Sequence, residues 1–395
     1  MLASLILNSQ FSILNSVTLV LWLATLANTI LSLVFVPRLR AKDGEAYLRS
    51  SILNPQSSIP SVSVLIPARD EERRIGPTVR ALLAQTYPAL EIIVVNDRST
   101  DATGAILGAF EDPRLRVVQG EEPPPGWLGK PWALHQASRY ARGELLLFVD
   151  ADIHYEPEGV AAAVALIERA GVSMISLLPR IEMRGFWEHL LMPDLAMMAF
   201  SFLPLWLANR TRARVLAVGG GPGNLVTRAD YDAAGGHEAL QDSVIDDVAL
   251  ARLVRRSGRR TQMVLADDLV SVRMYHGLRE TIEGFTKNTF SVFGRSYGAL
   301  FFVIVLSAIL HLLPYLLAFA GNPIAIATVV VLTLTRVVLF SALRYRLDNA
   351  VLGHPAMIVV WAYIFLRSAW ITGVRRELRW RGRRYDASRT RFGAD

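Results

Sequence analysis

The chain of 395 residues is 52% hydrophobic and only 19% charged, contains no cysteine, has a mean hydropathy of +0.32 and carries a formal charge of +7. Such apolar content excludes a disordered chain and argues against a purely soluble enzyme, and the lack of cysteine excludes disulfides, thiolate metal sites and thiol nucleophiles. The charge suggests nucleic acid only until it is located: residues 375–395 hold a net +5 and residues 38–49 a net +2, so the rest sums to zero, whereas a nucleic-acid footprint is a basic face on the folded body.

Taken in chain order, residues 1–37 contain no Asp, Glu, Lys or Arg, and 16–36 is long enough to span a bilayer. The basic residues Arg38, Arg40 and Lys42 follow this run instead of preceding it, opposite to a cleaved signal peptide. The expectation is an uncleaved transmembrane anchor over 1–37, with its N-terminus outside. Residues 60–290 read as a soluble α/β domain. Short Val-, Ile- and Leu-rich runs at 61–67, 90–97, 114–120 and 144–152 suit strands buried on both faces of a parallel sheet. Helical patterns at 71–85, 101–110, 130–141 and 158–170 alternate with them, which predicts a Rossmann-like open sheet binding its ligand at the carboxyl ends of the strands.

The apolar, aromatic segment 186–209 interrupts this domain and is expected to lie at the membrane interface; a core helix is the plainer alternative. Beyond it, 297–320 and 324–343 read as two spans separated by Gly321-Asn322-Pro323, and 355–374 as a third apolar segment carrying Arg367. The basic tail 375–395 closes the chain. Basic flanks belong in the cytoplasm. Three full C-terminal crossings would put the tail outside, so one segment, by preference the last, is expected to be re-entrant or to lie along the interface. Arg336 and Arg367 are costly in apolar segments and should pair within the bundle or bind headgroups.

The chemistry-bearing residues are mostly acids. Asp97 ends one strand run, and Asp150 and Asp152 end another. In a strand both members of this D-x-D pair point to one side, so both can reach one ligand. Unpaired carboxylates are costly to bury, and two hard oxygen ligands suit Mg²⁺ or Mn²⁺ bridged to a diphosphate. Ser99 or Asp101 could simply cap the next helix. Asp246 and Asp247 open the helical pattern 248–255, where acids also favour the helix dipole, so capping and catalysis both remain open there. The loop Gly219-Gly220-Gly221-Pro222-Gly223-Asn224 lacks a P-loop ending; either a flexible turn or close backbone approach to a substrate fits it.

The ordered series IPARDEE, VVNDRSTD, GKPWAL, FVDAD, GGGPGN and IDDVAL resembles the family 2 glycosyltransferases of GT-A fold, over about residues 62–290. The anchor, the C-terminal apolar segments and WRGRRY near the end resemble the membrane-bound, lipid-glycosylating branch. Within it the chain is most similar to hopanoid-associated glycosyltransferases and more distantly to ceramide glucosyltransferases. The resemblance implies an α/β GT-A domain with transmembrane helices at both ends, and it implies roles by position. Pro67, Ala68 and Glu71 would line the nucleotide pocket, Asp97 would bind the base, and Lys130 the ribose or diphosphate. Asp150 would contact the sugar or ribose, and Asp152, with Asp150, would hold the metal. Asp247 would be the general base beside Asp246, which replaces the usual Glu, with Gly220, Gly221 and Asn224 on the acceptor side. The Q-x-x-R-W motif of polymer synthases is reduced to Gly284–Asn288, keeping only Lys287, which speaks against a processive enzyme.

The expected activity is inverting transfer of a hexose from a nucleotide-diphosphate donor, a UDP-sugar, to a hydroxyl of a hopanoid- or sphingolipid-like membrane lipid. It would take place at the cytoplasmic face of a bacterial inner membrane, with Mg²⁺ or Mn²⁺ as cofactor and no nucleic-acid partner. One carboxylate taking the hydroxyl proton suffices for a single displacement. Two alternatives are a polyprenyl-phosphate sugar synthase, whose acceptor is already ionised, and a non-catalytic nucleotide-binding membrane protein.

Overall fold

The computed structural model describes residues 2–53, 58–375, 377–380 and 383–386, so most of the basic tail lies outside the described residues. The chain forms two compact units. One comprises Val36–Glu182 and Leu207–Met274, with the chain end; the other comprises Met1–Phe35, Met183–Trp206 and Tyr275–Leu378.

The first unit is a mixed α/β fold. Its strands are β1 (Val62–Ala68), β2 (Leu90–Asn96), β3 (Leu115–Gln119), β4 (Leu145–Phe148), β5 (Ile153–Tyr155), β6 (Met174–Leu178), β7 (Arg180–Ile181), β8 (Asn224–Thr227), β9 (Thr261–Leu265) and β10 (Val270–Val272). Seven make one sheet in the order β3-β2-β1-β4-β8-β6-β9, and β5-β10-β7 make a smaller one. The pairings β3–β2, β2–β1, β1–β4 and β6–β9 are parallel, while β8 runs antiparallel to both β4 and β6. The parallel centre needs apolar side chains on both faces, and the sequence supplies them: Val64, Ile66, Ile92, Val94 and Leu147 face one core, Leu65, Ile93, Val95 and Leu146 the other. Helices Ile75–Leu83 and Gly159–Ala170 cover the first face; Gly129–Tyr140 and Asp246–Arg256 cover the second.

The four strand runs and their intervening helices fall where the periodicity puts them. The exception is the D-x-D run: β4 stops at Phe148, and Asp150 and Asp152 lie in the connection to β5. The two-residue alternation that would aim both carboxylates one way therefore does not apply to them.

The second unit is helical. Among the described residues, four of its helices are long and apolar enough to cross a membrane: Ile13–Phe35, Tyr297–Phe319, Pro323–Ala342 and His354–Val374. Between residues 183 and 206 the chain breaks into the short helices Phe186–Leu191 and Pro193–Met197 and a π-turn, Met198–Phe202. Asn28 secures this turn: its amide donates to the carbonyls of Ser201 (2.9 Å) and Leu203 (3.1 Å), and its carbonyl accepts from the Trp206 indole (3.0 Å). Helix Gly277–Val292, which carries Lys287, belongs to this unit.

Candidate active site

The carboxyl ends of β1 and β2 are joined by a hydrogen-bonded zipper between the two loops that leave them. Ser99 accepts from the Asp70 amide (3.0 Å), Asp70 from the Thr100 amide (2.8 Å), Thr103 from the Glu71 amide (2.7 Å) and Asp101 from the Glu72 amide (3.0 Å). Asp101 also accepts from the Thr103 amide (2.9 Å). Ala102 holds the N-cap position of the next helix, so Ser99 does not cap it and Asp101 binds both loops together. Asp70 and Arg98 sit at φ 51° and 53°, a left-handed conformation uncommon outside glycine. The zipper's bonds hold it in place.

Asp97 is 2% exposed. Its burial, against expectation, is met by cations: Arg69 and Arg98 each come within 3.9 Å of its carboxylate, and Arg69 also donates to its carbonyl (2.8 Å). Its amide donates to the Ala68 carbonyl (2.8 Å), so Pro67, Ala68, Glu71 and Asp97 form one group at the strand ends.

A second group centres on Lys130, in the first turn of helix Gly129–Tyr140. Its ammonium lies 2.8 Å from Asp150 and 3.0 Å from Asp246. Burial pulls against the charge, but Asp150, then Asp246 and Asp247, outweigh it and hold the amine well above the usual lysine range. Asp246, 4% exposed, and Asp247 open helix Asp246–Arg256. Burial raises both carboxyls above the ordinary range; Lys130 opposes this and the neighbouring acids add to it. The helix dipole favours the anions at this end.

The glycine loop fits closely around these groups. A Cβ at Gly221 would come within 2.0 Å of the Asp150 carboxylate, and one at Gly219 within 2.1 Å of the Asp247 carbonyl. The Gly221 carbonyl accepts from the Asp150 amide (3.0 Å). Asn224 accepts from the Gly220 amide (3.4 Å) and donates to the Asp247 carbonyl (3.3 Å). Lys130, Asp150, Gly221, Asn224, Asp246 and Asp247 line one cavity.

Residues 63–225 match the sequence model of the family described as Glycosyl transferase family 2. The chain carries a family 2 glycosyltransferase domain. Among curated proteins it is similar to 4,4'-diaponeurosporenoate glycosyltransferase of Staphylococcus aureus (strain USA300), 26% identical over 83% of this chain and 89% of that protein. Among solved structures it is similar to the mannosyltransferase PcManGT from Pyrobaculum calidifontis, solved in complex with GDP-Man and Mn²⁺. That likeness spans 91% of this chain and 99% of the other, with a TM-score of 0.51 and 19% identity, and shows a shared fold.

Arg74 extends the first group: its guanidinium lies 4.0 Å from Glu71 and 3.8 Å from Asp152. The two acids of the D-x-D pair thus answer to different cations, Asp150 to Lys130 and Asp152 to Arg74. Among the described residues no three His, Asp or Glu side chains converge as a closed metal cage. Two partly exposed carboxylates nevertheless suit a hard cation that takes one or two protein oxygens and completes its shell from substrate phosphates and water. In that sense Asp150 and Asp152 fit Mg²⁺ or Mn²⁺.

Sequence reasoning missed His237, Tyr231 and Arg74. His237, 1% exposed, reaches to 4.0 Å from Asp246 through Nε2, and its Nδ1 is 2.9 Å from the Tyr231 hydroxyl. Burial, helped by Lys130, lowers its pKa to about 3, so it is neutral and its two nitrogens have distinct roles. A lone histidine inside GGHEAL gives no signal of this; its partners arrive from another helix.

Proposed function

We propose that the protein is a membrane-bound glycosyltransferase that moves a hexose from a nucleotide-diphosphate donor to an oxygen of a lipid acceptor, with inversion. The observation that supports it most is the Lys130 cluster, which gathers a cation, the Asp150 carboxylate and the acid pair of helix Asp246–Arg256 around one cavity. In this reading Pro67, Ala68, Glu71 and Asp97 take the nucleoside, and Lys130 and Asp150 the diphosphate and sugar. Asp247 accepts the acceptor's proton as the new bond forms, held by the backbone around Gly220, Gly221 and Asn224. A divalent ion at Asp152 and Asp150 would offset charge on the departing diphosphate. Neutral His237 and Lys130 keep Asp246 aligned beside the base.

The acceptor we favour is a hydroxyl of a hopanoid- or sphingolipid-like lipid and the donor a UDP-sugar. The S. aureus relative is named for an acceptor that is a carboxylate, and this favours a second reading in which the attacking oxygen is already ionised. Domain limits follow the sequence: an anchor over 1–37, the transferase domain over 60–290 with the interfacial insertion 186–209, the segments 297–374 and a cytoplasmic tail 375–395. The enzyme would sit in a bacterial inner membrane with the transferase domain in the cytoplasm. Asp247→Asn decides between the acceptors. For a hydroxyl acceptor, transfer falls by about 10²–10⁴-fold, the range of general-base catalysis, while nucleotide binding measured by calorimetry persists. Wild-type transfer in this variant removes Asp247 from the base role.

A further inference from the structure

We propose that only three of the four apolar helices cross the membrane. The fourth is the long leg of a re-entrant hairpin over residues 343–374, whose tip is pinned at mid-bilayer by His311 and Arg336. This rests on reading the helical unit as membrane-embedded.

Depth can be counted along helix Tyr297–Phe319 at about 1.5 Å per residue. His311 lies eight residues, about 12 Å, from Phe319. The Trp22 indole of the first helix donates to the carbonyl of Leu310 (2.9 Å), which places Trp22 at the same depth. In a hydrocarbon core of about 30 Å both lie near the middle. His354, the first residue of the fourth helix, sits there too: its Nε2 is 3.0 Å from His311 Nδ1. The fourth helix therefore begins inside the membrane.

Its other end lies at the level where the second begins. The Ser368 hydroxyl accepts from the Phe290 amide (2.9 Å), and a Cβ on Gly373 would come within 2.3 Å of the Tyr297 hydroxyl. Helices Tyr297–Phe319 and Pro323–Ala342 are joined by a short turn, so Tyr297 and Ala342 lie on the same side. The chain thus leaves Ala342, climbs through the short helix Leu347–Leu352 to His354 and returns to the side it left.

A break at that depth leaves backbone groups without water, at several kcal/mol each in lipid. The sequence supplies their partners. Arg336, 1% exposed, donates to the carbonyls of Asn349 and Ala350 (3.0 Å each). Pro355, in the first turn of the returning helix, has no N–H to satisfy. A buried arginine in a span, otherwise hard to explain, becomes the cap of the ascending leg.

The absence of cysteine gives a clean background for single-cysteine labelling of the full-length protein with a membrane-impermeant maleimide, in intact cells and inverted vesicles. Asn322→Cys is expected to label from one side only, and Arg346→Cys and Arg375→Cys both from the other. Labelling of Arg346→Cys and Arg375→Cys from opposite sides overturns the proposal. A nitroxide on Leu352→Cys should report the oxygen and nickel-chelate accessibility of one on Val330→Cys, within a span. Accessibility like that of a label on Phe319→Cys, at a span end, equally overturns it. Neither outcome depends on transferase activity, so failure here is separate from failure of the functional reading.

Discussion

At the scale of single residues, the acids of the site differ in what surrounds them, and the surroundings set when each can act. Asp247 is raised by burial, with Asp150 adding and Lys130 opposing. A general base must be unprotonated, so lowering the pH through this raised pKa removes activity. The acid limb of kcat is expected above the ordinary carboxylate range of about 4, and a pH–rate profile flat down to that range contradicts the assignment. Asp97, Asp150, Asp152, Asp246 and Asp247 were all legible as acids at the ends of apolar runs or at a helix start. Their partners were not. Arg69, Arg74 and His237 are unremarkable in the sequence and gain meaning from strands and helices that fold beside them. Lys130 was visible through the family resemblance alone, because no local pattern marks a lysine that will sit between two distant carboxylates.

Among the elements, the glycine loop and helix Asp246–Arg256 set the positions of those residues. Gly221→Ala places a methyl 2.0 Å from the Asp150 carboxylate. The expected result is a loss of transfer of about 10²-fold, the cost of a roughly 1 Å misplacement, with little change in thermal midpoint; wild-type kinetics would show that the loop yields easily. The opposite end of the same helix holds Arg255, 3% exposed, which donates to the carbonyls of Ala208 and Ala213 (2.8 Å each) and to the Thr261 hydroxyl (2.8 Å). Arg255→Leu strands these acceptors, at about 1–3 kcal/mol each. A clear fall in thermal midpoint is expected, against no change if the arginine is dispensable. Element positions could be read because both-face burial makes β1, β2 and β4 short, mostly apolar runs separated by helical patterns. Strand β8 escaped notice: four residues following a glycine loop carry no period.

For the whole molecule, the +7 charge separates into flanks and a neutral body, as the arithmetic along the chain implied. Apolar content resolves into the helical unit, but counting apolar segments alone left their parity open; contacts such as His311–His354 bear on it because they tie depth in one helix to depth in another. The transferase reading at this scale carries a dependence on divalent ions. Treatment with excess chelator is expected to abolish transfer in membranes, and added Mg²⁺ or Mn²⁺ to restore it. Full activity in chelator removes Asp150 and Asp152 from the metal role.

Strand β8 runs against both of its neighbours, and this has a topological consequence. Its first residue, Asn224, lies opposite Phe148 and Ser176 near the carboxyl ends of β4 and β6, so a chain that comes from that end of the sheet enters it without a crossover. Residues 183–206 leave the unit after β7 and re-enter before β8. Such an excursion is a cassette: its length and composition can change without altering the register of any strand. A core built this way can exchange the segment between residues 183 and 206 while its strands stay fixed, and chimaeras spliced at those two residues test this.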